Sequence, residues 1–117
     1  MKIGEVCLLT NDVIRLSNFY KELLGKENNS DDSVHQFIIS EETALTVYNG
    51  GAERKADNIC IAFTVDDVDM EFERLKSLGV EITDPPAERP WGAKNMMFKD
   101  PDGNNIVFRS FPKQRGG

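Results

Sequence analysis

A chain of 117 residues with 39% hydrophobic and 29% charged content has the size of one domain with a real core, and no apolar run approaches the ~18 residues of a membrane span. A net charge of −6 and a pI near 4.8 argue against a nucleic-acid partner, whose binders carry a basic face; the acidity serves solubility and permits attraction of cationic small molecules. Both cysteines lie outside any Cys-x-x-Cys pair, and Glu5 sits where a signal peptide would stay apolar. A cytoplasmic protein with reduced thiols is expected, and no redox motif or zinc knuckle.

Glu5 to Thr10 reads as a buried strand, after which Asn11-Asp12 offers side-chain oxygens to cap a helix. Val13, Leu16, Tyr20, Leu23 and Leu24 form its apolar stripe, and Gly25 stands where a helix-ending glycine is expected. A polar loop covers Lys26 to Asp32. Val34 to Ser40 and Thr43 to Tyr48 are strand-like and joined by Glu41-Glu42 as a hairpin; Asn49 to Asp57 reads as a connector. The order then restarts. Ile59 to Val65 is a strand, Asp66-Asp67 a cap, and Val68, Phe72, Leu75 and Leu78 a helical stripe ended by Gly79. Val80 to Thr83 is expected as a short strand and Asp84 to Gly92, with its prolines, as a loop. Met96-Met97-Phe98 and Ile106-Val107-Phe108 flank Asp100-Pro101-Asp102-Gly103-Asn104, a chain-reversing turn between two strands.

Asn11-Asp12-Val13 and Asp66-Asp67-Val68 match about 55 residues apart, and both helices end in Leu-Gly. The sequence thus predicts an α+β domain of two tandem βαβββ modules, about residues 1–50 and 58–112, with a connector over 49–57 and a disordered polar tail over 113–117. The strand that the first module lacks is expected near Lys26 to Asn28.

This pattern, with Asn18-Phe19-Tyr20, Leu23-Leu24-Gly25 and the final Asp-Pro-Asp-Gly-Asn hairpin, resembles the vicinal oxygen chelate superfamily. That group includes glyoxalase I, extradiol dioxygenases, fosfomycin-resistance enzymes and bleomycin-resistance proteins. Pro90-Trp91-Gly92 looks most like the bleomycin-resistance branch. The resemblance implies a curved sheet forming a cup, which in the family's enzymes holds a divalent metal on four equivalent strand positions. Here those positions fall on Glu5, Thr46, Cys60 and Val107. Glu5 is a normal ligand, Thr46 a poor one, Cys60 suits a softer metal, and Val107 cannot ligate. No metal and no other cofactor is therefore expected, and the enzyme reading recedes.

With Glu5 facing the cup, strand alternation brings Cys7 and Leu9, then Thr46 and Tyr48, then Cys60, Ala62 and Thr64, then Asn105, Val107, Arg109 and Phe111. The ligand-binding set is Glu5, Cys7, Thr46, Tyr48, Cys60, Trp91, Val107 and Arg109, with no catalytic residue assigned. Glu5 and Arg109 either pair or sit at wet strand ends. Trp91 either stacks on a planar ligand or anchors its loop to the core or to a partner subunit. His35 reads as a surface residue, and Cys7 and Cys60 as small buried hydrophobes. The leading function is a metal-independent small-molecule binder, expected as a homodimer. A lyase, isomerase or dioxygenase with an atypical site is the first rival, and an interaction module with a filled cup the second.

Overall fold

The computed structural model describes residues 1, 3–28, 30–41, 43–50 and 60–112. They belong to two compact units, Met1–Lys55 and Ala56–Gly117. The first unit runs β1 (Glu5–Thr10), α1 (Val13–Leu23), β2 (His35–Ser40) and β3 (Thr43–Asn49). The Asp12 side chain accepts from the Arg15 backbone N–H at 3.1 Å, satisfying one of the donors a helix start leaves unpaired. Val13, Leu16, Tyr20 and Leu23 are each at most 5% exposed. This stripe packs toward β2 and β3, where Ile38, Leu45 and Val47 are buried; each large apolar side chain so buried contributes about 1.5–3 kcal/mol. At the helix end Gly25 takes φ 66°, and the N–H groups of Gly25 and Lys26 donate to the carbonyls of Glu22 and Lys21. Those two bonds close the last turn, and the left-handed residue between them favours glycine.

The first sheet has the order β1-β3-β2, with β1 parallel and β2 antiparallel to β3. Three strands are all it has among the described residues: residues 26–28 belong to no strand, contrary to expectation. Lys26-Glu27-Asn28 offers no apolar position with which a strand could cover the helix. Strand β1 is likewise not buried throughout, since Glu5, Cys7 and Leu9 are exposed.

The second unit runs β4 (Cys60–Thr64), α2 (Val68–Ser77), β5 (Ile82–Glu88), β6 (Lys94–Lys99) and β7 (Asn105–Ser110), with sheet order β4-β7-β6-β5. Its helix repeats the devices of α1: Asp67 accepts from the Met70 N–H, and Gly79 at φ 76° precedes a bond from the Val80 N–H to the Leu75 carbonyl. Val68 and Leu75 are buried on the α2 side, with Met96, Phe98, Ile106 and Phe108 on the sheet. Phe108 meets Phe98 and Phe63 edge to face, at 4.9 and 5.9 Å between ring centres. Phe72 is half-buried, and Leu78 lies outside the stripe, exposed beyond the helix end.

Pro85 and Pro86 do not make a loop, and of the three prolines only Pro90 lies in a turn. Strand β5 runs through Asp84-Pro85-Pro86 to Glu88, and only the four residues Arg89 to Gly92 turn the chain. Proline removes a ladder donor, so a strand tolerates it at an edge or an irregularity, and β5 provides both. It is an edge strand, and its register against β6 shifts on both sides of Asp84. Between β6 and β7 the expected turn is present. Asp100, 5% exposed, accepts from the N–H of Asp102 and Asn104 and from Asn104 Nδ2, at 2.9, 2.9 and 2.8 Å.

Most of the connector, Ile59 and the tail over 113–117 lie outside the described residues. No helix among the described residues is long and apolar enough to cross a membrane.

Candidate functional site

Each helix covers one face of its sheet, and the opposite faces carry the expected site residues. In the first sheet the strand registers set three rows across β1, β3 and β2: Glu5–Ala44–Ile39, Cys7–Thr46–Phe37 and Leu9–Tyr48–His35. The middle of this face is polar and bonded. Thr46 Oγ1 donates to Glu5 Oε2 at 2.7 Å, and Thr46 is only 4% exposed. The His35 and Tyr48 rings meet at 5.6 Å, edge to face. Leu9, Phe37, Ile39 and Tyr48 are exposed around that centre.

The helix-free face of the second sheet has the rows Cys60–Asn105–Lys99, Ala62–Val107–Met97 and Thr64–Arg109–Asn95. Lys99 Nζ donates to Asn105 Oδ1 at 2.9 Å, and Arg109 Nε donates to Thr64 Oγ1 at 3.0 Å. The Arg109 guanidinium also lies 5.3 Å from the centre of the Phe111 ring, a cation–π contact. Beside it, Asn95 Oδ1 is buried with no hydrogen-bond partner among the described residues.

Glu5, Cys7, Thr46 and Tyr48 thus share one face, and Cys60, Val107 and Arg109 share another. Glu5 and Arg109 are each engaged inside their own unit, by Thr46 and by Thr64 with Phe111. Trp91 is 68% exposed at the tip of the four-residue turn. An anchor in the core would be buried, so that reading of Trp91 is set aside. Cys7 and Cys60 are also exposed, as free thiols, rather than buried as expected; strand parity turns both away from the helices.

Sequence reasoning missed the contribution of β2 and β6. His35 is exposed as expected, yet it stands on the same face as Glu5, together with Phe37 and Ile39. A signal was available: a loop of only Glu41-Glu42 pairs Ser40 with Thr43, which puts Phe37 opposite Thr46.

The four positions at which the resemblance would place a metal are equivalent by register. Glu5 lies opposite Ala44 with Thr46 two residues on, and Cys60 lies opposite Asn105 with Val107 two residues on. Their donor set does not fit a divalent ion. It offers one carboxylate, a hydroxyl that donates its proton to that carboxylate, one thiol and one side chain with no donor atom. Among the described residues no three His, Cys, Asp or Glu side chains gather as a ligand group.

The family model described as Glyoxalase/Bleomycin resistance protein/Dioxygenase superfamily matches residues 2–108. The uncharacterized protein YraH of Bacillus subtilis (strain 168) is 30% identical over 124 residues, spanning 91% of this chain and 95% of its own length. Among solved structures, a glyoxalase/bleomycin resistance protein/dioxygenase from Nocardioides matches with a TM-score of 0.78 at 23% identity, over 99% of this chain and 90% of that one. The genomically encoded fosfomycin resistance protein FosX from Listeria monocytogenes matches with a TM-score of 0.78 at 22% identity, over 94% and 93%. At such identities the structural likeness speaks for the fold alone.

Proposed function

We propose, from the premise that this chain belongs to the glyoxalase/bleomycin resistance protein/dioxygenase superfamily, that it binds a small organic molecule without a metal and holds it untransformed. The observation that carries the reading is the helix-free face of the first sheet. There Leu9, Phe37, Ile39 and Tyr48 are 58, 56, 56 and 46% exposed around the Glu5–Thr46 pair. Apolar walls around a few convergent polar groups are the composition of a small-molecule site, and contiguous exposed apolar surface commonly marks a contact surface. Cys7 supplies a small soft contact in the same row as Thr46 and Phe37. The helix-free face of the second sheet carries a binding set of its own in Cys60, Val107 and Arg109, and in that unit the exposed Trp91 indole offers a stacking plane.

Metal independence rests on the donor set. Metal-assisted catalysis needs two or three fixed ligands and an open position, and of the four positions only Glu5 is an ordinary ligand. In this reading the protein works in the cytoplasm, where exposed free thiols persist, and as a homodimer. Strand β1 is an edge of the first sheet and β4 an edge of the second, and open edges tend to be paired or covered.

Native mass spectrometry of protein purified from cell extract tests all of this together. A dimer carrying an organic mass and no metal is the expected result. About one metal per chain, lost on Glu5→Ala, would overturn it.

A further inference from the structure

Lys21, in the last turn of α1, is 7% exposed. Its ammonium donates to Gln36 Oε1, and among the described residues no carboxylate pairs with it. Gln36, 4% exposed, is itself held in place, since its Nε2 donates to the backbone carbonyls of Ser30 and Asp32 at 3.4 and 3.1 Å. A nearly dehydrated ammonium with one neutral acceptor is an unbalanced charge, and proteins rarely keep one without a counter-ion. The nearby Asp32 carboxylate does not serve. It accepts from the Val34 and His35 backbone N–H groups, which hold it below the usual carboxylate range.

Lys21 and Gln36 line a cleft of about 400 Å³, together with Lys26, Ser30, His35 and Glu27. Two ammoniums, a hydroxyl and an imidazole thus meet one carboxylate. Consecutive β2 residues from His35 to Ile39 form the wall, so the cleft follows the outer edge of that strand. In the second unit β5 covers the corresponding edge of β6, whereas the described first sheet has no such strand.

We infer that this cleft is an anion site, taking the carboxylate or phosphate group of a small molecule on the Lys21 ammonium. Gln36 takes one of the three ammonium N–H groups and leaves two to bond the anion. Lys26 adds a second positive charge at the rim, and a volume in the range of small-molecule sites leaves room for the rest of the ligand. The anion-binding group differs from those of the helix-free face, because Gln36 lies on the helix side of β2 with Ile38, although His35, Phe37 and Ile39 of that face border the cleft along the strand edge.

The test is a two-dimensional NMR titration of the intact protein with inorganic phosphate and, separately, succinate, with potassium chloride at matched ionic strength as the control. One or both probes should shift the Gln36 side-chain amide and the His35 signals saturably, while chloride does not. Saturation by phosphate alone or by succinate alone identifies the group. Lys21→Met should weaken the response at least tenfold without lowering the thermal midpoint measured without anion, and the exposed Lys26→Gln should weaken it about two- to threefold. The inference is overturned if neither probe saturates the wild type, or if chloride reproduces the shifts. It also falls if Lys21→Met binds as tightly as wild type or unfolds the protein, since unfolding would assign the ammonium to folding.

Discussion

Thr46 and Glu5 tie parallel strands together through their side chains, the hydroxyl of one donating to the carboxylate of the other at 2.7 Å. The equivalent pair in the second unit, Val107 and Cys60, has no such bond to make. Thr46→Val keeps the shape and removes the donor, so it should destabilise the chain by about 0.5–1.5 kcal/mol in denaturant unfolding. Glu5→Gln retains an acceptor and should cost less. No loss of stability in Thr46→Val would mean that the bond contributes nothing.

Trp91 projects from a turn closed by the Gly92 N–H bonding to the Arg89 carbonyl at 3.0 Å. The turn does not need the indole, and Trp91→Ala should change stability by no more than about 0.5 kcal/mol. Removing an aromatic binding anchor costs about 2 kcal/mol or more, so affinity for a ligand recovered with the protein should fall at least tenfold. As the chain has a single tryptophan, its emission reports binding directly. Unchanged emission at saturation, with unchanged affinity of Trp91→Ala, would show that the indole does not touch ligand.

Asp100 carries the β6–β7 hairpin. Its buried carboxylate accepts three hydrogen bonds within the turn, and Gly103 at φ 87° completes the reversal. Asp100→Ala leaves three donors without that acceptor and should cost about 2–4 kcal/mol. Asp100→Asn retains one side-chain acceptor and should lie between the two in a thermal melt.

Lys94 Nζ donates to Asp69 Oδ2 at 2.6 Å, linking β6 to the first turn of α2, and this bond raises the lysine above its ordinary value of 10.5. A group whose folded value is raised contributes stability that is complete below the ordinary value and lost as pH rises through the folded one. The difference in thermal midpoint between wild type and Lys94→Met should hold steady up to about pH 10 and close above it. Asp32 has the opposite sign. Its carboxyl is lowered from 3.8, chiefly by the Val34 N–H and then by that of His35, so its contribution is present above that value and fades as pH falls further. Between these limits the two groups give stability no slope with pH.

The helices were legible because their signals are local. Asp12 and Asp67 cap, Gly25 and Gly79 stop, and both do so by bonds within a few residues of chain. Strand β5 was legible only at its start, Ile82 and Thr83, because Pro85-Pro86 is compatible with a strand only at an irregular edge, and edge position depends on partners far along the chain. The helix-free faces were half legible. Alternation put Glu5 and Cys7 on one face of β1 and the family resemblance put Thr46 beside them, as the β1–β3 register has it, while Phe37 and Met97 required the hairpin registers as well. Lys21 was invisible as a feature. On a helix with an apolar stripe a lysine reads as solvated, and only the fixed Gln36 opposite it reveals otherwise.

Every strand ladder in the described structure begins and ends inside one unit: β1 with β3, β2 with β3, β4 with β7, and β6 with both of its neighbours. The order of the halves along the polypeptide is therefore not written into any of them. A circular permutant that starts at Cys60 and rejoins the old termini through a flexible linker would preserve each pairing and each loop closed by a ladder. The entropy of closing those loops, which governs how quickly sheets assemble, would be unchanged.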